Sequence, residues 1–200
     1  VPRGVAIPAI RQQLFAAVDE VIVRVGPGRL SGRAVTSAAG VATGLLYAHF
    51  ADLDDFLAAY AVDRSFVVSA SAATLPERAG SGTVAGNLCD TVHATPLPTV
   101  LALTRLLVSR PELVDRVRAV LGDRAAGLDA IESAASEYLA RERRLGRVTT
   151  SAEPEALATA LVGVLHRLVL TAGTESDVHD RVRRTVTALV AGVTTATPHQ

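Results

Sequence analysis

Apolar residues recur at steps of three and four along this chain of 200 residues, and that spacing predicts a succession of helices. Ile10, Leu14, Val18, Val21, Ile22 and Val25 form the first apolar stripe, which Gly26, Pro27 and Gly28 bring to a stop. Ser31 is placed to cap a second helix over 31–39, its hydroxyl accepting from a first-turn N–H that has no partner inside the helix. Gly40 ends that helix in the left-handed conformation that glycine adopts without steric cost. Val41 packs the turn, and a short third helix runs from Thr43 to about His49 with small residues at its start. Asp52 caps a fourth helix, Asp54 and Asp55 sit at the positive end of its dipole, and Phe56, Leu57 and Tyr60 supply its apolar face. It ends between Ser71 and Pro76.

Beyond a small-residue connection over 77–83, helices are expected over 84–94, 100–109 and 111–144. Pro96 and Pro98 break the chain before the second of these, and Gly122 or Gly127 divides the third. A loop over 146–152 leads to two final helices, 155–172 and 177–194. Leu157, Leu161, Val164, Leu165 and Leu168 line one face of the first. Val178, Val182, Val186, Leu189, Val190 and Val193 line the other, with Arg181, Arg183 and Arg184 opposite. Two such faces at a chain terminus exceed what one small domain buries. The economical arrangement is a four-helix dimer interface made by Leu157, Leu161, Val164, Leu165, Leu168, Val182, Val186, Leu189, Val190 and Val193. Closure of the monomer's own core is the alternative.

The stretch SGRAVTSAAGVATGLLYAHFADLDDF, residues 31–56, carries the strongest functional signal. Two short helices and a tight turn ahead of a longer helix form a helix-turn-helix, and a helix that enters a major groove needs small or polar residues at its leading end. Within it, AGVATGLLYAHFADLDDFL resembles the helix-turn-helix signature of the TetR family of bacterial transcriptional regulators: a Gly-Val turn, a small recognition helix ending in Tyr-x-His-Phe, and a capped fourth helix. The motif covers roughly residues 10–64. The resemblance implies an all-α fold with a three-helix DNA-binding domain over 1–51 and a helical ligand-binding and dimerisation domain over 52–200. It implies operator DNA, a small-molecule effector and a second copy of the chain as partners. Arg29, Ser31, Arg33, Thr43, Gly44, Tyr47 and His49 are then the DNA-contacting candidates, although Tyr47 also suits packing inward between helices.

Departures from the family pattern bear on affinity. The family usually has a lysine at the position of Leu53, and often a serine and a lysine at those of Ala42 and Thr43. Each missing cation removes a phosphate contact and its counterion release. Residues 1–50 hold five arginines against two acids, a net of +3, which is a modest electrostatic footprint. A dimeric module that senses a ligand or partner with weakened or lost DNA binding is therefore the alternative function.

For the effector, the resemblance implies an apolar cavity with a few polar groups. Tyr60, Cys89, His93, Thr104, Arg105, Tyr138 and His166 are the polar side chains the sequence offers, and each also suits an ordinary core or surface role. Cys89 and His93 share a helix face four residues apart, but two ligands do not make a metal site, so neither metal nor cofactor is expected. No Gly-rich phosphate loop, G-x-S-x-G element or metal-spaced histidine pair indicates an enzyme.

Net charge is zero and the chain is 49% hydrophobic, enough for a substantial core. All 20 basic residues are arginine, which suggests a GC-rich bacterial genome, and the single cysteine fits a reducing cytoplasm. Val1 opens a chain without methionine, and both a literally translated GTG start and the remnant VPRG of a cleaved tag fit it. The apolar run over 156–173 approaches membrane length, but His166 and Arg167 lie inside it. A charge at that depth costs about 2.5–3.5 kcal/mol, so the run is expected to be a helix buried at a protein interface.

Overall fold

The computed structural model describes residues 7–122, 126–171 and 175–194; Val1 and the expected helix end at residue 172 lie outside them. Among the described residues there are ten α-helices and no strand: α1 Ile7–Val25, α2 Gly32–Ala38, α3 Thr43–Tyr47, α4 Leu53–Ala70, α5 Val84–Ala94, α6 Leu97–Ser109, α7 Glu112–Leu121, α8 Leu128–Arg144, α9 Pro154–Thr171 and α10 Glu175–Ala191. Short 3₁₀ turns at Pro27–Arg29 and Leu75–Arg78 complete the regular structure. The chain has the all-α architecture that its periodicity predicts.

Helix bounds differ from expectation by a few residues in several places, and three of the differences have a plain local reason. α3 stops at Tyr47, because the His49 and Phe50 amides both turn back to the Leu46 carbonyl and Asp52 then caps a new helix. α6 begins at Leu97, with Pro98 in its first turn, where a missing N–H costs no intrahelical bond. The expected helix over 111–144 is divided at both candidate glycines, Gly122 and Gly127, which each have φ near +60°.

Two compact units make up the chain. The first comprises Val1–Arg64 and Pro98–Asp123, the second Ser65–Leu97 and Arg124–Gln200. This division falls within α4, not ahead of it. In the first unit Leu14, Val18, Ile22, Val35 and Leu46 are buried around an aromatic cluster. Phe15 lies 5.6 Å from Phe56, Phe50 packs edge-on to Phe56 at 5.0 Å, and Tyr60 stands edge-on to Phe15. Edge and tilted contacts suit the ring quadrupoles and add about 0.5–1.5 kcal/mol per pair beyond area burial.

The second unit packs α8 against α9 and α5 against α10. Its core is aliphatic: Leu88, Ile131, Leu139, Leu165, Leu168, Val182 and Val186 are buried. α9 is long and apolar enough to cross a membrane by length and composition, and its residues Ala158, Val162, Leu165, Leu168 and Val169 are buried within the chain.

Candidate functional site

α2 is built from its cap. Ser31 has extended backbone, and its Oγ accepts from the Ala34 amide at 3.2 Å, which leaves the Ser31 O–H free as a donor. At the other end Gly40, at φ +67°, lets the Val41 amide reach the Thr36 carbonyl at 2.9 Å. Thr36 is buried and spends its hydroxyl hydrogen on the Gly32 carbonyl at 2.9 Å. The hydroxyl of Thr43, 3.2 Å from that of Thr36, is therefore the donor between the two, and it ties the start of α3 to α2.

α3 is anchored by Leu46, which is fully buried, while Thr43, Gly44 and Tyr47 are exposed. A Cβ on Gly44 would meet no atom within 4 Å, so this part of the helix faces open space. Tyr47 takes neither of its two expected positions completely. Its side chain is half exposed, yet its hydroxyl lies across the start of α2, where a Cβ on Gly32 would come within 2.7 Å of it. Arg29 and Arg33 are exposed at the 3₁₀ turn and at the start of α2, and His49 is half-buried in the turn before α4. Leu53, at the usual lysine position, is half-buried.

A polar cluster that the sequence did not single out lies in the same unit. Arg64 is buried, with Nε 3.0 Å from Asp19 and Nη1 2.9 Å from Asp63, and its guanidinium rests over the Phe15 and Tyr60 rings. Tyr60 donates to Asp19 at 2.5 Å. Burial raises the Asp19 carboxyl above the usual carboxylate range, outweighing the Tyr60, Arg64 and Thr99 interactions that favour its charge. Burial also raises the Tyr60 phenol, and the neighbouring Asp19 charge adds to the effect. The sequence signal was an acid between buried Val18 and Ile22 on α1, and a Tyr and Arg one turn apart on α4.

The seven expected effector-contacting residues are not gathered at one place. Tyr60 is committed to Asp19, and Thr104 and Arg105, half-buried on α6, belong to the same unit. In the second unit, buried Tyr138 accepts from Asn87 Nδ2 at 3.0 Å. Beside it the buried carboxylate of Glu142 accepts from the Gly80 amide at 3.2 Å and pairs with Arg147. Burial and then the Glu142 contact raise the Tyr138 phenol, against the opposing Asn87 bond. His93 meets a residue the sequence analysis passed over, His179 of α10, with ring centroids 4.6 Å apart. Burial raises the Cys89 thiol, and the Arg183 charge opposes that. His166 is half-buried on α9. Among the described residues no three His, Cys, Asp or Glu side chains are grouped to hold a metal ion.

The second unit does contain a partly open cavity of about 30 Å³ bordered by α5, α8, α9, α10 and the Leu75 turn, and none of those seven residues lines it. Its walls include Leu88, Ile131, Val162, Leu165 and Val182, with Thr91 among them. Several residues expected at a dimer interface serve this interior instead. Leu165, Leu168, Val182, Val186 and Val190 are all at least 95% buried within the single chain, because α5 and α8 cover the apolar faces of α9 and α10. Leu157, Leu161, Val164, Leu189 and Val193 stay half-buried.

No protein-family model matches the chain, and no curated protein is significantly similar to it in sequence. Solved structures are similar in fold. The fatty acid degradation regulator FadR from Bacillus halodurans superposes with a TM-score of 0.68 at 17% identity, covering 99% of this chain and 100% of that one. The TetR family transcriptional regulator PfmR from Thermus thermophilus gives 0.69 at 14% identity, over 89% and 97%. A transcriptional regulator from Rhodococcus sp. Rha1 gives 0.66 at 21%, over 94% and 99%. The helix-turn-helix is thus set in the fold of a class of transcriptional regulators, and that fold is the TetR-family fold over nearly the whole chain.

Proposed function

We propose that this chain is a homodimeric DNA-binding transcriptional regulator, a cytoplasmic repressor released from its operator by a small molecule. The observation that carries it is the outward presentation of Thr43, Gly44 and Tyr47 on an α3 anchored by Leu46, with Arg29, Ser31 and Arg33 exposed at the adjoining start of α2. Thr43, Tyr47 and His49 would meet phosphates and base edges in the major groove, Gly44 would let the backbone approach, and Ser31, Arg29 and Arg33 would fix the docking on the phosphates. In the dimer two such helices lie about 34–36 Å apart, one turn of duplex. The half-buried Leu157, Leu161 and Val164 of α9, Leu189 of α10 and Val193 just beyond it, together with exposed Leu170, are apolar residues left to contact a second copy. By function, residues 1–51 form the reading head, and residues 52–200 sense the effector and dimerise.

Coupling between effector and operator is of the order of 1–3 kcal/mol in such systems and is reciprocal, so saturating operator must weaken effector binding by the same factor. The deciding experiment is an anisotropy titration of the chain on the intergenic DNA upstream of its own gene at several salt concentrations. Several released ions together with resistance to competitor DNA are expected, and a salt slope near zero would overturn the proposal. The lack of any cation on α3, with Leu53 at the usual lysine position, favours a second reading, a dimeric ligand- or partner-sensing module without operator binding. The same flat slope would support it.

A further inference from the structure

The hydroxyls of the reading head differ in hydrogen-bond polarity. Thr36 is buried, and its Oγ1 lies 2.9 Å from the Gly32 carbonyl and 3.3 Å from the Arg33 carbonyl, both of which can only accept. Its hydrogen is thereby committed, so the Thr43 hydroxyl, 3.2 Å away, is the one that donates between the two. The exposed Thr43 side chain is left with oxygen lone pairs and a methyl group, and with no hydrogen to give. Ser31 is the reverse, since its Oγ accepts from the Ala34 amide and its own hydrogen is free. Phosphate oxygens only accept. Ser31 can therefore bond to one, and Thr43 can do so only by breaking the tie between α2 and α3.

Base edges in the major groove divide by the same property. Guanine shows two acceptors, N7 and O6, and thymine shows the O4 acceptor beside its methyl group, whereas adenine N6 and cytosine N4 carry amines that donate. We propose that Thr43 reads a base and not the backbone: its Oγ1 accepts from the exocyclic amine of adenine or cytosine, and guanine is excluded from the position it faces. Thymine falls between them, because its methyl group can meet that of Thr43. That Thr43 meets DNA at all rests on the regulator proposed above, and the choice of base deepens that reading. Thr36 is then a positioning residue, which sets the preference from inside the domain by holding the Thr43 hydrogen.

The test is fluorescence anisotropy of the full chain on the site it protects in the intergenic DNA upstream of its own gene, with each base pair of a half-site replaced in turn by the other three. At one position the parent should bind the adenine or cytosine duplex about tenfold more tightly than the guanine duplex. Thr43→Val keeps the shape and removes the oxygen, so it should cut that discrimination to about twofold and leave the other positions unchanged. Thr36→Val, or Thr36→Ala if that variant does not fold, frees the Thr43 hydrogen to turn outward. Guanine binding should then improve about fivefold at the same position alone. Uniform weakening of every duplex by Thr43→Val would mark a phosphate contact and overturn the assignment. Tolerance of guanine at every position by the parent, or a base profile that neither variant changes, overturns it equally. Each of these leaves the regulator standing, whereas a parent chain that binds none of the duplexes overturns the regulator and the base preference together.

Discussion

The interiors of the two units are made of different material. The first is fastened by rings and charges: Phe15, Phe50, Phe56 and Tyr60 interlock, and Arg64 lies buried between Asp19, Asp63 and two aromatic faces. The second, among its described residues, buries one aromatic side chain, Tyr138, beside Asn87 and the Glu142 carboxylate that pairs with Arg147, and packs mainly aliphatic residues around a cavity. Rings and ion pairs are directional, so they tolerate few alternative arrangements. Aliphatic side chains exchange neighbours at little cost, so a wall of them yields. The first kind of interior suits a unit that presents Thr43 and Tyr47 in fixed geometry, and the second kind accommodates changes of side-chain volume more readily.

Truncation in the ring cluster offers the largest test of this contrast. Phe56→Ala should cost about 4 kcal/mol in chemical denaturation, because the fully buried ring packs against both Phe15 and Phe50 and its removal leaves a cavity between them. Asp19→Ala should cost about 3 kcal/mol, since it strips a buried guanidinium of one carboxylate while Asp63 remains. A loss below 1 kcal/mol in either variant would show that the first interior is no more exacting than the second.

Adding volume turns the comparison around. Ala61→Val in the first unit, at a position with no exposure, should cost about 1–3 kcal/mol by overpacking. The same change at Ala135, on the cavity wall, should be neutral or stabilise by up to about 1 kcal/mol. Equal costs at the two positions would remove the distinction.

Smaller effects sharpen it. The Asp19 carboxyl is raised by burial, so the folded state holds its proton more tightly than the unfolded chain does. Its contribution is complete below the ordinary value of 3.8 and is lost as pH climbs through the higher folded value. Across that window the stability of the parent relative to Asp19→Asn should fall with rising pH, as read by denaturant midpoints. A parallel pair of curves would sink the assignment. Gly32→Ala should change stability by no more than about 0.5 kcal/mol, yet its methyl must push the Tyr47 hydroxyl from the start of α2. The change should appear in the Tyr47 ring resonances and in a weaker operator complex if Tyr47 contacts DNA from that position.

Local chemistry made much of this molecule readable from its residues. The Ser31 cap, the Gly40 turn, the Asp52 cap and the two breaks at Gly122 and Gly127 depend on interactions within a few residues, and periodicity marked which face of each helix is apolar. The faces of α9 and α10 show where that information stops. Val182, Val186 and Leu165 are apolar whether they meet a second copy or their own chain, and only the placement of α5 and α8 assigns them to the interior. In the same way nothing near Asp19 or His93 announces Arg64 or His179, because those partners arrive on helices distant in sequence. Nor did the seven scattered polar candidates disclose a cavity with none of them in its wall. The helices, most of their ends to within a few residues and the signature of the α2–α3 turn were legible in the residues, since hydrogen-bond capping and amphipathic spacing are short-range. Which apolar faces close on each other, which buried charges pair and where space is left unfilled came only with the folded chain, since those depend on which distant segments come to share a neighbourhood.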